Sequence, residues 1–461
     1  MRRTASNIIV GVFLAGLLSF IGGLFALNAS IFPGKNPSAV EDRLQLKFTS
    51  ASEGLPVEGI WKSSPALLKS DGSGGLEFAA LALDGDGPHV WKRDAGGNWA
   101  DAFHAQLTRD SCGGSVEFGE IKKGGSPIMA VADHCTGVSV YVDDGKGRWT
   151  TLVENLNPEI ADLLGKQGAT GDSNYFLGAE GVALGDVNED GSIDIVAASA
   201  QRGGLTLYLG DGAGEWKEVK ATGLPTAEHV EPDDAVNGGR ANQVKLIDIN
   251  GDGHLDVVAS YFKGPSVWVG DGKGNFREQS EGLPRPSMGG IYFKFAVGDI
   301  NGDGLPDLVF ANIVNGVEIY TQKPDGSWQE LPDVFPSLMG GATAVALADL
   351  TGDGHLDLIV AGRKGNKPGD SFGLFVLKGD GKGGFKEIGT NLPADGLPII
   401  WGLEVDTKTP GRQQIIVTTG SGPRRNQAMF QPGIPAKPAM ANHSVSEKTT
   451  PKILVWQNAT R

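Results

Sequence analysis

The sequence predicts an all-β fold: a seven-bladed β-propeller closed by an N-terminal strand and preceded by one transmembrane helix. Three observations predict it. The 461 residues include 70 Gly and 25 Pro, a turn-rich composition that favours many short strands over long helices. A nine-residue pattern, Asp-x-(Asn/Thr)-x-Asp-Gly-x-x-Asp, recurs at 186–194, 248–256, 299–307 and 349–357, and such self-similarity marks an array of like units. A second pattern, an apolar run followed by a Gly-rich turn and a Phe or Trp, recurs at 140–149, 205–216, 267–276 and 375–385. Each copy reads as a β-hairpin.

Taken in order, the chain opens with an uncharged run at 8–27 behind Arg2 and Arg3. That run is long enough to span a bilayer, and the arginines place its start in the cytosol. No good small-x-small cleavage site follows, so the expectation is an uncleaved signal anchor. Residues 1–7 would then be cytosolic, 28–42 a linker, and 43–461 an extracytoplasmic propeller, periplasmic or at the cell surface.

Third strands of successive blades fall at Val90, Val140, Leu205, Val267, Val317, Phe375 and Ile453. Six are followed by an outer strand of their own, but the seventh, at 453–457, reaches the C-terminus. Segment 43–48 alternates with Leu44, Leu46 and Phe48 on one face. It precedes Gly54-Leu-Pro56, a tripeptide whose relatives at Gly223, Gly282 and Asn391 follow other hairpins. It is therefore expected to complete blade seven and leave no free sheet edge.

The nine-residue loops carry the clearest chemistry. Carboxylates at positions one, five and nine, the side-chain oxygen at three and the carbonyl at seven can converge as an all-oxygen shell, which suits calcium better than magnesium. The candidate ligands are Asp186, Asn188, Asp190, Ser192 and Asp194; Asp248, Asn250, Asp252, His254 and Asp256; Asp299, Asn301, Asp303, Leu305 and Asp307; and Asp349, Thr351, Asp353, His355 and Asp357. About four calcium ions are expected. An EF-hand is excluded because the flanks, such as 182–185 and 257–259, are short, apolar and strand-like. His254 and His355 would ligate through their carbonyls, leaving their imidazoles solvated. Blades one, two and seven lack the pattern, showing Asp84-Gly-Asp86, 120–124 and 406–410 in its place. Cys112 and Cys135 flank a strand pair of blade two, where a disulfide would contribute about 3 kcal/mol; two separate buried thiols are the equal alternative.

These loops, each followed by a Tyr/Trp-x-Gly-Asp-Gly-x-Gly-x-Phe/Trp hairpin, resemble the FG-GAP/VCBS repeats also known from integrin α-chain propellers. The resemblance spans roughly 44–461 and is strong for four units. It implies propeller blades with calcium in the first inter-strand loop, and recognition or adhesion more often than catalysis. Thr351 departs from the usual Asn or Asp.

A formal charge of −15 argues against nucleic acid as a partner. The seven histidines, at 89, 104, 134, 229, 254, 355 and 443, include no pair at zinc-ligand sequence spacing, and no Gly-x-Ser-x-Gly elbow occurs. Binding is expected on the face opposite the Asp-rich loops, where unrepeated material gathers: 172–176, 228–240, Tyr261 and Phe262, Tyr292 and Phe293, 363–372 and Trp401. The expected partner is a protein or a glycan. The rivals are a polysaccharide lyase or hydrolase using that face, and a structural subunit of an envelope complex.

Overall fold

The computed structural model describes residues 46–460 apart from 69–75, 84–86, 95, 106–110, 135, 157–177, 200–203, 226–240, 262–263, 285–290, 333–340, 364–370, 408–412 and 421–451. These residues form seven four-stranded antiparallel sheets. The expected membrane segment at 8–27 and the linker at 28–42 lie outside them. Among the described residues no helix is long and apolar enough to cross a membrane.

Blade one is β2 (Ala66–Leu68), β3 (Glu77–Leu81), β4 (Pro88–Arg93) and β5 (Trp99–His104). Blade two is β6 (Gly114–Glu120), β7 (Pro127–Asp133), β8 (Gly137–Asp143) and β9 (Trp149–Val153). Blade three is β10 (Ala179–Gly185), β11 (Asp194–Ser199), β12 (Leu205–Gly210) and β13 (Trp216–Val219). Blade four is β14 (Ala241–Ile247), β15 (Asp256–Tyr261), β16 (Gly264–Gly270) and β17 (Phe276–Glu278). Blade five is β18 (Tyr292–Gly298), β19 (Asp307–Asn312), β20 (Gly316–Gln322) and β21 (Trp328–Leu331). Blade six is β22 (Ala342–Ala348), β23 (Asp357–Gly362), β24 (Gly373–Gly379) and β25 (Phe385–Glu387). Blade seven is β26 (Ile399–Asp406), β27 (Gln414–Gly420), β28 (Ile453–Asn458) and β1 (Phe48–Ser50).

The second strands are almost wholly apolar and buried, as β15 (Asp256–Tyr261) and β23 (Asp357–Gly362) show, because a neighbouring blade covers each face. The apolar residues divide into seven clusters, each drawn from two adjacent blades. One joins Val196 and Leu207 of blade three to Val257 and Trp268 of blade four; another joins Ile359 and Val376 of blade six to Ile400 and Ile415 of blade seven. The core is thus a ring of seven sandwiches.

Ring closure takes place as the strand count requires, with a shift in position. The paired segment is 48–50, not 43–48: Phe48 lies opposite Asn458 and Ser50 opposite Trp456. Leu46 instead makes a parallel bridge to Thr390 of the blade-six connection, and residues 43–45 lie outside the described residues. The Leu-Pro tripeptides explain the shift. Gly54 is pressed so closely against Trp99 that a Cβ would fall 2.0 Å from its carbonyl oxygen, and Gly223 and Gly282 meet Phe276 and Trp328 in the same way. Each tripeptide therefore hands one blade to the first residue of the next outer strand. At blade six that residue is Phe48, and Asn391 replaces the glycine. Its amide accepts from the Phe48 N–H at 2.7 Å and donates to the Phe48 carbonyl at 2.8 Å. Leu46 and Phe48 are buried in the cluster between blades six and seven.

One assignment in blade one is corrected. Asp84 and Asp86 do not stand where the nine-residue loop would be, because they fall between β3 and β4, the second and third strands. The repeat pattern fades in this blade, and β3 is a short Ala-rich strand whose ends the sequence does not mark. In blade two, Cys112 is disulfide-bonded, while Cys135 lies outside the described residues.

Candidate functional site

Each Asp-rich loop starts on the residue after a first strand, and its ninth residue opens the second. Asp194, Asp256, Asp307 and Asp357 are fully buried there. Their two oxygens face different partners. In blade four, Asp256 accepts from the Ile249 N–H at 2.9 Å, inside its own loop, and from the Gly270 N–H at 2.7 Å, at the end of the third strand. Val187 and Gly210 donate to Asp194, Ile300 and Gln322 to Asp307, and Leu350 and Gly379 to Asp357. The ninth carboxylate thus staples the loop to the Gly-turn hairpin.

The first carboxylate shapes the loop from within. Asp248 accepts from the Gly251 and Gly253 N–H groups at 2.7 and 3.0 Å, and Asp299 from Gly302 and Gly304 at 2.6 and 2.9 Å. Gly253 and Gly304 have φ of 91° and 86°, the left-handed region that glycine enters without strain. At position three, Asn188, Asn250 and Asn301 each donate a side-chain N–H to the position-five carboxylate at 2.9 Å. Position five in turn accepts the position-seven N–H, at 2.8 to 3.1 Å across the four copies.

Blade six differs around Thr351, whose own N–H adds a bond to Asp357 at 2.8 Å. Thr351 has no amide to offer Asp353, and the Lys378 ammonium lies 2.8 Å from that carboxylate instead. The corresponding residues before the hairpin turn are Leu209, Val269 and Thr321, so at this position only blade six carries a cation.

The electrostatics follow from this geometry. Burial pushes Asp194, Asp256 and Asp307 up to about 6, and the other two carboxylates of each loop add to the rise against the backbone amides that lower it. Burial also raises Asp357. Asp353 is held below the ordinary carboxylate range, first by Lys378. The His254 imidazole is not simply solvated: its Nδ1 meets the Glu189 carboxylate of the blade-three loop, which raises its pKa. Glu189 has a φ of 58°, one of two such non-glycine residues among those described. The donor set is all oxygen, as calcium prefers, but no loop brings one oxygen from each of its three carboxylates within 4.8 Å of the others; the carboxylates act on one another at longer range, adding to the rise of Asp194, Asp256 and Asp307.

The opposite face presents a shallow depression at the channel mouth, about 230 Å³ including space open to solvent, lined by Lys62, Ser63, Gly114, Glu180, Asn242, Phe293, Lys294 and Trp401. Polar groups knit its floor: Lys62 Nζ lies 3.2 Å from His134 Nδ1, His134 Nε2 meets Glu180, and Lys294 donates to the Asn242 carbonyl at 3.0 Å. Of the aromatics expected on this face, Tyr261, Tyr292 and Phe293 are buried. Tyr292 donates its hydroxyl to Glu318. Trp401 alone among the described ones is half-buried, packed near Phe293 and 5.6 Å from Lys62 Nζ. Segments 172–176 and 228–240, Phe262 and most of 363–372 lie outside the described residues. Sequence reading missed Lys62, His134, Glu180 and Lys294, because Lys62, Glu180 and Lys294 lie before or early in first strands and His134 just after a second strand, places that carry no motif.

Deeper in the channel, Glu117 of β6, Lys245 of β14 and Glu404 of β26 face one another across the ring. Glu117 is solvent-exposed on its strand, and desolvation by the surrounding protein still raises its carboxyl to about 7, with Lys245 lowering and Glu404 raising it.

The FG-GAP-like repeat family matches residues 248–310 and 299–360, the loops and hairpins of blades four and five and the loop of blade six. No curated protein matches the chain. Among solved structures it is similar to an Agrocybe aegerita lectin, in a study of specific recognition of non-reducing terminal N-acetylglucosamine, at 19% identity over 70% of this chain and 79% of that one, with a TM-score of 0.46. It is also similar to BBS1N, solved in complex with ARL6DN, at 14% identity over 81% and 94% of the two chains, with a TM-score of 0.48. Neither likeness bears on function.

Proposed function

We propose that this seven-bladed propeller with FG-GAP-like repeats is a recognition or adhesion module, anchored in a membrane by residues 8–27, displayed outside the cytosol, and stiffened by calcium in its Asp-rich loops. The observation that carries the reading is the division of labour between the two ends of the ring. One end is built from four near-identical acidic loops whose ninth carboxylates are committed to holding the hairpins. The other end holds a small polar depression with Trp401 at its side, and the unrepeated sequence falls between the strands that reach that end. Unrepeated loops on a rigid scaffold are where binding specificity is usually written. A protein or a glycan is the partner.

A structural role in an envelope complex would use the same face. A polysaccharide-active enzyme would need a reachable acid and base; Glu180 lines the depression but is buried and paired with the fully buried His134, which also meets Lys62. Binding is therefore the preferred reading. The test uses the full chain in membranes. Cross-linking pull-down and glycan-array binding are run in calcium and in chelator, on wild type and on Trp401→Ala. A stoichiometric protein or a defined glycan, weakened in the variant, is expected. Turnover of a polysaccharide that survives Trp401→Ala and fails in Glu180→Gln would replace this reading with the enzymatic one. N-terminal sequencing that starts near Ser30 would remove the anchor.

A further inference from the structure

Blade one, which lacks an Asp-rich loop, holds a different set of donors near its outer edge. His89 in β4 and His104 in β5 are cross-strand partners, and their rings stack with centroids 5.3 Å apart. A third donor would not normally join them. In regular alternation Asp101 shares a face with Phe103 and points away from His104. The register slips between Val90 and Trp91, leaving Ala102 as an extra residue in β5. That bulge lets Phe103 enter the core between blades one and two while it turns Asp101 onto the histidine side. Bulges re-aim side chains in this way.

The result is a compact set of three: Asp101 Oδ2 lies 3.1 Å from His89 Nδ1 and 3.6 Å from His104 Nδ1. One ligand atom from each residue falls within 4.8 Å of the others. Zinc binds nitrogen and carboxylate oxygen at about 2.0–2.2 Å, which puts the corners of its tetrahedron about 3.3 Å apart. Two of the three separations already match that spacing, and the third lies within 4.8 Å. His89 is held in place, its ring stacked on Trp91 at 5.3 Å and met edge-on by Trp61 at 5.2 Å. His104 is 54% exposed and Asp101 40%, so both are free to make the last adjustment. A rigid inner ligand with two adjustable outer ones is a workable metal site.

We propose that His89, Asp101 and His104 bind a divalent transition ion of the zinc class, in a three-ligand site with its remaining position open to solvent. Imidazole and a single carboxylate select such ions over calcium, which takes six to eight oxygens. The site lies at the starts of third strands and the ends of outer strands, on the face opposite the Asp-rich loops. It is independent of the calcium proposal and of the partner.

The test is a titration of the full, calcium-saturated chain with zinc by calorimetry, and with cobalt(II) by visible absorption. One zinc per chain is expected, with the intense visible bands of a four- or five-coordinate cobalt site. His104→Gln, an exposed substitution that leaves the fold intact, should weaken zinc at least about tenfold and abolish the bands; Asp101→Asn should do so in part. Should His89→Gln fail to fold, the two exposed variants still decide. Zinc binding unchanged in His104→Gln, or only weak octahedral cobalt absorption, would overturn the assignment.

Discussion

The loops of blades five and six follow one plan with different cations in view. In both, the first carboxylate collects glycine amides and the ninth bonds its own loop and the hairpin. In blade five the position-five carboxylate is faced by the Asn301 amide, which is neutral; in blade six it is faced by the Lys378 ammonium. The comparison separates two functions that one motif combines. Positions one and nine make the fold, and positions three and five set how much negative charge is left for an added ion. A motif match therefore reports the fold of the loop more securely than its metal.

The largest effect should come from the shared part. Asp307→Ala and Asp357→Ala each strip two buried backbone N–H groups of their acceptor, at about 1–3 kcal/mol for each group left unsatisfied. Both variants should lose stability in chemical denaturation, in chelator as well as in calcium. If Asp357→Ala were harmless in chelator, the loops would not be built alike.

The next effect concerns the ion. Chelation should lower the melting temperature, since an ion bound to the native state alone adds stability by mass action. Calorimetric titration should find three tighter sites and one weaker. Lys378→Thr should strengthen the weak site by about tenfold or more, equivalent to about 1.4 kcal/mol, and Thr321→Lys should weaken the site of blade five to match. No calcium dependence in any variant would reduce all four loops to turns.

A pH profile sharpens the contrast further. Without an ion, burial raises Asp307 to about 6 in the folded chain, above the ordinary value near 3.8. The folded state then holds a proton that the unfolded chain has released, so stability falls as pH rises from about 4 to about 6. Calcium should flatten this decline, and Asp307→Asn should remove blade five's share of it. The smallest effect is outside the loops: Glu117→Gln should remove a similar decline that extends to about pH 7. A profile that rises over this window would mean that neither carboxylate is raised.

The contrast also shows what one sequence can convey. Blade number, the strand-to-strand setting of the Asp-rich loops and the completion of blade seven by an N-terminal strand were readable, because each rests on local alternation repeated at fixed spacing. The closing strand itself was placed several residues early, since its position depends on Asn391, more than three hundred positions away. Asp84 and Asp86 were assigned to the wrong loop for want of a repeat in blade one. Tyr261 and Tyr292 are buried, in keeping with packing under their own loops, and Phe293 is buried but lines the depression. Lys378, the histidine pair of blade one and the polar floor under Trp401 were invisible for one reason: each depends on which residues stand opposite across strands or across the channel, and the bulge at Ala102 changes even the face to which a residue belongs.

The closing strand has a consequence for synthesis. Lys47 bonds Thr460 across 413 positions, so the first described strand of the ring waits for the last. At about 5–20 residues per second, the delay is on the order of 20 to 80 seconds. Throughout it, blades one to six can fold in order as they emerge, while Phe48 and its neighbours have only Asn391 and Thr390 of blade six to hold them, and those appear late as well. Until then the newborn chain is expected to be an open arc with an uncovered blade face at each end, and the arc becomes a ring only once residues 453–458 are made.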